Sequence, residues 1–249
     1  METMLELDHP KRKLDIPSAQ NVRDLGGYAT SDGRQTQWGR FVRAGDMDQL
    51  TAEDQQKLID HGINTVIDLR MVKEVTQMPN VFTNSSQVRF HIHDFWGDRF
   101  RDYRSTSRGA PPEVKLADLY CAGLVQSGFV MADIMTTIAD SEDHGFAYHC
   151  RSGKDRTGLV SAMLLAIAGV PEETICADYA LTEKFLRKPD SDKRVKPGQP
   201  GYFLTGCSPE TMALTLAFIT QEYGGVEDYL AQLGVDADQI SRVKSKLLD

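Results

Sequence analysis

His149-Cys150-Arg151-Ser152-Gly153-Lys154-Asp155-Arg156-Thr157-Gly158 is the stretch whose reading decides the fold. It leaves a short apolar strand, Gly145 to His149 (GFAYH). It then enters Arg156 to Ala168, which is apolar nearly all round and so reads as a central buried helix. The backbone N–H groups at a helix start lack intrahelical partners and bind anions, so a phosphate placed there meets several donors at once. Arg151, Ser152, Gly153 and Lys154 supply that backbone, and Gly153 lets it wrap closely. Cys150 stands at the mouth of this anion site, where the same field favours the nucleophilic thiolate. A free cysteine has a pKa of about 8.5, and cysteines at helix starts reach roughly 3.5–7.5. Arg156 carries a planar fork that can grip two phosphate oxygens. Lys154 adds a second positive charge, Asp155 a carboxyl group, and Thr157 a hydroxyl that can donate toward the sulfur.

Working outward, strands alternate with helices. Gly39 to Ala44, Asn64 to Leu69 and Gln87 to His93 read as strands. Thr51 to His61 reads as a helix capped by Thr51 and ended by Gly62. Helical stretches follow over 113–126, 128–139 and 171–186, and Ser208-Pro209-Glu210 is a strong helix start. The pattern predicts an α/β fold, a central sheet flanked by helices, with a helical C-terminal third. Residues 1–20 read as a loose polar arm, and 21–249 as one domain. Two polar loops, near 97–112 and 187–206, read as insertions into that domain, either solvated surface or a lid over the site.

The chain has 249 residues, 28 basic and 36 acidic, for a net charge of −8 with neutral histidines. This charge argues against nonspecific binding to nucleic acid or to an anionic membrane. The longest nearly apolar run, Leu159 to Val170, is too short to span a bilayer, which takes about 20 residues. With no apolar leader at the N-terminus, the expected compartment is the cytoplasm. The four cysteines are scattered, so neither a disulfide framework nor a cysteine zinc site is indicated. His91-x-His93-Asp94 has the look of part of a metal-ligand cluster but is not extended downstream, and reads as a strand-end coincidence. The phosphate loop of nucleotide hydrolases does not fit, because Gly153-Lys154 is followed by Asp. No metal and no cofactor are expected.

Cys150 and Arg156 stand in the Cys-x5-Arg spacing, and the HCxxGKDRTG form resembles the bacterial tyrosine- and lipid-phosphatase branch of the protein tyrosine phosphatase superfamily. NVRDLGGY at 21–28, RAGD at 43–46 with IDLR at 67–70, and YGGVEDYL at 223–230 extend the resemblance over nearly the whole chain. The resemblance implies a phosphate-ester hydrolase acting on phosphotyrosine, with dual specificity or phosphoinositides as further possibilities. Cys150 would attack phosphorus to give a phosphocysteine, Arg156 would hold the transferring group, and Arg151 to Lys154 with Thr157 would bind it. An acid would protonate the leaving oxygen, and water would complete the cycle. Asp155 is the first candidate for the acid, with Asp94 and Asp98 as alternatives. The resemblance gives His149 a supporting role, orienting the Cys150 loop. Asp68 and Arg70 are either near the site or a structural ion pair, and Arg23–Asp24 reads as a structural pair. The partner is a phosphorylated protein or a phosphoinositide. Alternatives on the same residues are a phosphate-recognition module without turnover and a rhodanese-like sulfurtransferase.

Overall fold

The four-residue strand Phe146–His149 (β5) lies at the centre of a five-stranded sheet in a computed structural model that describes residues 7–97, 107, 109–142, 145–186 and 195–248. In chain order the other strands are Arg23–Asp24 (β1), Phe41–Ala44 (β2), Thr65–Asp68 (β3) and Arg89–Ile92 (β4). The spatial order is β1-β2-β5-β3-β4. β1 runs antiparallel to β2, and the remaining neighbours are parallel. The register puts Ala44, Asp68 and His149 side by side at the strand ends. Gly45, Leu69 and Cys150 therefore leave the sheet together at its carboxyl edge, where open α/β sheets bind ligands.

Alternation along these strands builds two cores, because successive side chains of a strand point to opposite faces. Phe41, Ile67, Phe146 and Tyr148 enter the larger core, and Val42, Ala44, Val66 and Ala147 the smaller. The larger core is closed by helices Pro112–Gln126 (α3), Gly128–Asp140 (α4), Asp155–Ala168 (α5) and Glu172–Ala180 (α6). After the short Thr182–Phe185 (α7), the C-terminal helices Pro209–Tyr223 (α8), Val226–Gln232 (α9) and Ala237–Leu248 (α10) complete that layer. The smaller core lies under Ala52–Asp60 (α1), which precedes β3. Apart from Asp155 and Ala166, every residue of α5 is buried, in keeping with a sequence that is apolar nearly all round. The α/β fold with a helical C-terminal third is as expected.

Three local features differ from the sequence reading. Residues 12–20, part of the stretch 1–20 expected as a loose arm, pack on the domain. Arg12 and Ile16 are buried, Lys13 bridges to Arg23, and the Arg12 guanidinium sits 3.7 Å from the centre of the Tyr28 ring. The helix expected over 171–186 breaks at Leu181, and Thr182 turns its hydroxyl to Arg23. Val72–Gln77 (α2), between β3 and β4, is a short helix with no buried residue and hence no apolar periodicity to announce it. Half of the two predicted insertions, 98–106, 108 and 187–194, and with them the candidate acid Asp98, lie outside the described residues. Among the described residues no single helix is long and apolar enough to cross a membrane, and α3 and α4 bend by 72° at Ser127.

Candidate active site

The turn from β5 into α5 is tied down by its carbonyls. The Cys150 carbonyl meets His149 Nδ1 at 3.2 Å, and the Arg151 carbonyl accepts from the Asp46 N–H at 3.1 Å. The Ser152 and Gly153 carbonyls both accept from Asn21 Nδ2, at 3.1 and 2.8 Å, and Gly153 also accepts from an Arg43 terminal nitrogen at 2.9 Å. In a planar trans peptide the N–H points opposite to the C=O. Tying four successive carbonyls to surrounding groups therefore turns the N–H groups of Arg151, Ser152, Gly153 and Lys154 the other way. None of these four donates to another described residue. They form a nest of uncommitted donors at the start of α5, where the helix dipole adds positive potential. Gly153 is required here: its φ is +67°, and a Cβ would come within 2.5 Å of the Ala44 carbonyl oxygen.

His149 is fully buried. The Asn80 side-chain oxygen accepts from the Phe82 N–H at 2.9 Å, so Asn80 Nδ2 is the atom that meets His149 Nε2 at 2.7 Å. Nε2 is thereby the acceptor, and Nδ1 carries the proton given to the Cys150 carbonyl. Asp68 Oδ2 lies 3.4 Å from the same Nε2, and Asp68 is itself gripped by Arg70 at 2.7 Å. The Asp68–Arg70 ion pair and the contact with His149 are thus both present. Arg70 continues to Asp46 at 2.6 Å, and Asp46 reaches Arg151 at 3.1 Å. Burial pushes the Asp46 carboxyl up despite Arg70.

Arg156 is buried beside Cys150 and pairs with Glu74 of α2 at 2.6 Å. Burial opposes its charge, but the negative charges of a Cys150 thiolate and of Glu74 outweigh that and raise its pKa. Arg156 Nε and Thr157 Oγ1 are buried without a partner among the described residues, so the expected bond from Thr157 to the sulfur is not formed. Asp155 Oδ1 accepts from Tyr120 Oη at 2.6 Å and lies 3.3 Å from Lys154 Nζ. Tyr120 is in turn 2.7 Å from Tyr179 Oη. Burial, followed by the charge of Asp155, raises both tyrosines well above their ordinary range, so they remain donors. Lys154 does not face outward: it is buried and donates to the Leu204 and Gly206 carbonyls. Asp94 acts as a loop clasp, its two oxygens taken by the N–H groups of Val72, at the start of the helix that carries Glu74, and of Gly97. His91 and His93 stack with ring centres 6.4 Å apart, and His93 Nε2 lies 3.1 Å from Thr137 Oγ1.

Sequence reading missed Glu74, Asn80 and Asp46. Glu74 had one local signal, its place three residues after Met71, whose N–H it caps at 2.8 Å. Asp46 stood in the RAGD stretch at 43–46 but was given no role there, and Asn80 gave no signal, since its partner His149 is distant in sequence.

The fold agrees with what comparison with known proteins finds. A family model described as the tyrosine phosphatase family matches residues 14–249, and the chain belongs to that family. It is a phosphatase, a hydrolase. A tyrosine-protein phosphatase of Nostoc commune is 30% identical over 219 residues, spanning 83% of this chain and 74% of its own length. The triple specificity protein phosphatase PtpB of Mycobacterium tuberculosis is 23% identical over 277 residues, spanning 94% and 98%.

Proposed function

We propose that the chain removes phosphate from phosphotyrosine through a phosphocysteine on Cys150. The observation that carries this reading is that the four carbonyls from Cys150 to Gly153 are tied to surrounding groups while the N–H groups of Arg151 to Lys154, in the loop between Cys150 and Arg156, donate to no described residue. Three non-bridging phosphate oxygens need several donors and a fork, and these are the donors left unused. Cys150 sulfur attacks phosphorus while the bond from phosphorus to the leaving oxygen breaks. Asp155 gives that oxygen its proton, and Tyr120 fixes which carboxylate oxygen does so: Oδ1 is held by two donors, leaving Oδ2 to carry the proton. Water then attacks the phosphocysteine, Asp155 takes back a proton, and inorganic phosphate leaves with the thiolate restored. Arg156 holds the charge of the transferring group throughout, and Thr157 Oγ1 is the spare donor available to the departing thiolate.

Phosphoprotein substrates stand first. The names of the relatives, a tyrosine-protein phosphatase and a triple specificity protein phosphatase, support phosphotyrosine with dual specificity next to it. Phosphoinositides come second, because Lys154, the extra cation suited to a polyanionic headgroup, is held by two carbonyls and must leave them to meet one. The cytoplasm is the compartment that suits four cysteines all present as free thiols.

The test is phosphate release from phosphotyrosine, phosphoserine and phosphothreonine peptides and from each phosphoinositide, with no metal added and Cys150→Ser as the blank. Release from phosphotyrosine peptides that vanishes in Cys150→Ser, with substrate still bound by the variant, is the expected result. Equal release by the variant removes Cys150 as the nucleophile. Binding without release in the wild type turns the reading to a recognition module.

A further inference from the structure

Behind the phosphate loop lies a group of charges with no contact to any substrate. Asp178, on α6, is fully buried. Its carboxylate pairs with Arg23 of β1 at 3.1 Å and with Arg43 of β2 at 2.7 Å, and both guanidinium groups are themselves fully buried. Tyr28 Oη adds a hydrogen bond to the same carboxylate at 2.9 Å. Two cations share one anion, which leaves an excess positive charge in the interior. Such a charge is tolerated only when further oxygens surround it. The oxygens it finds are informative. Arg23 donates to the Asp178 carbonyl and to Asn21 Oδ1, and Arg43 donates to the Gly153 carbonyl of the phosphate loop.

The second arm of the group passes through Asn21. Because Arg23 occupies its Oδ1, the Nδ2 group is presented to the Ser152 and Gly153 carbonyls. Asn21 is also the one residue other than glycine, among those described, with positive φ, at +57°. A left-handed backbone is uncommon outside glycine, and such conformations gather where a side chain must be delivered to a functional site. Here the delivered group is an amide that two loop carbonyls share.

We propose that Asp178 is a positioning residue for the phosphate loop, acting through Arg43 and through Arg23 and Asn21 to keep the Ser152 and Gly153 carbonyls turned out of the anion site. If those two peptides flip, carbonyl oxygens replace the Gly153 and Lys154 N–H groups in the pocket, and two attractive dipoles become repulsive ones. The charges need not touch phosphate to set its affinity. This inference rests on the reading of the loop as a phosphate site.

Substituting Asp178 itself strands two buried cations and risks the fold, so the decisive variant is Asn21→Gly. Glycine accepts the left-handed backbone and removes only the amide. The measurements are the inhibition constant of tungstate, an oxyanion probe, together with kcat/KM on a phosphotyrosine peptide and the melting temperature. The expected result is a loss of about tenfold to hundredfold in both tungstate affinity and kcat/KM, less than the roughly 10²–10³-fold of removing an oxyanion donor outright, in a protein that still melts cooperatively. Arg43→Lys, which keeps the charge facing Asp178 but shortens the reach to Gly153, should show the same direction. Unchanged tungstate inhibition and kcat/KM in folded Asn21→Gly, with a wild type active in the same assay, overturns the positioning role alone. A wild type that neither binds tungstate nor releases phosphate overturns the phosphate-loop reading beneath it.

Discussion

Arg43 and Arg156 serve the same loop and are held in different ways. Arg43 is fully buried, its partner Asp178 is 1% exposed, and its remaining contact is a loop carbonyl. Arg156 faces Glu74, whose side chain is 18% exposed and belongs to a short helix that buries none of its residues. No solvent reaches the first pair, so its geometry is fixed once the chain folds. The second pair sits at the border of water on a lightly packed element, so its carboxylate can give way to another anion. The difference separates two tasks that a phosphate site needs. In the proposed mechanism one arginine sets the direction of backbone dipoles permanently, and the other exchanges partners in every turnover.

The comparison breaks first under Asp178→Ala. Removing one partner of a buried charge cluster costs about 3–5 kcal/mol, out of a total stability of about 5–15 kcal/mol for a typical protein. Urea unfolding followed by tryptophan fluorescence should show that loss, and a loss below about 1 kcal/mol would mean that solvent reaches Arg23 and Arg43 after all. Arg156→Lys should behave differently. Its stability should stay near that of the wild type, while kcat/KM falls by about 10²–10³-fold, because one ammonium cannot replace a bidentate fork on the transferring group. If Arg156→Lys instead destabilises as Asp178→Ala does, the two arginines belong to one class and the contrast fails.

How much of this was legible in the sequence follows from distance along the chain. The loop from His149 to Gly158 is contiguous, so its residue types alone announce a cysteine, an arginine and free N–H groups at a helix start. The caps at Thr51 and Ser208 were legible for the same reason, each bonding within three residues, at 3.1 and 3.3 Å. Arg43 and Asp178 are 135 residues apart, and a single Asp within a helix carries no mark of burial. Arg23 and Asp24 look like a pair because they are adjacent, yet adjacent strand residues face opposite sides of a sheet. Arg23 goes to Asp178, and Asp24 to His61 at 2.6 Å and to the Gly26 and Gly39 N–H groups. Lys154 was read as a second cation of the anion site. Its direction was set by two carbonyls about fifty residues later, which no local pattern reports.

The finest test of the exchangeable pair is Glu74→Gln, which keeps the shape and removes the charge. Burial alone would raise the Glu74 carboxyl, but its hydrogen bonds to Arg156 and the arginine's charge lower it. The folded pKa is therefore depressed. The pair contributes fully above the unfolded value of about 4.3 and loses that contribution as pH falls through the folded value. Glu74 stays ionised across the range in which the enzyme would be assayed, so its titration does not shape the activity profile. Its charge acts at every such pH as a rival to the phosphate for Arg156. Neutralising it should lower KM and the tungstate inhibition constant by about threefold to tenfold, the effect of one partly solvated charge, with kcat changed less. The opposite split, a lower kcat with tungstate binding unchanged, would mean that Glu74 aims the guanidinium rather than competing for it. Arg156 would then be a fixed residue, as Arg43 is.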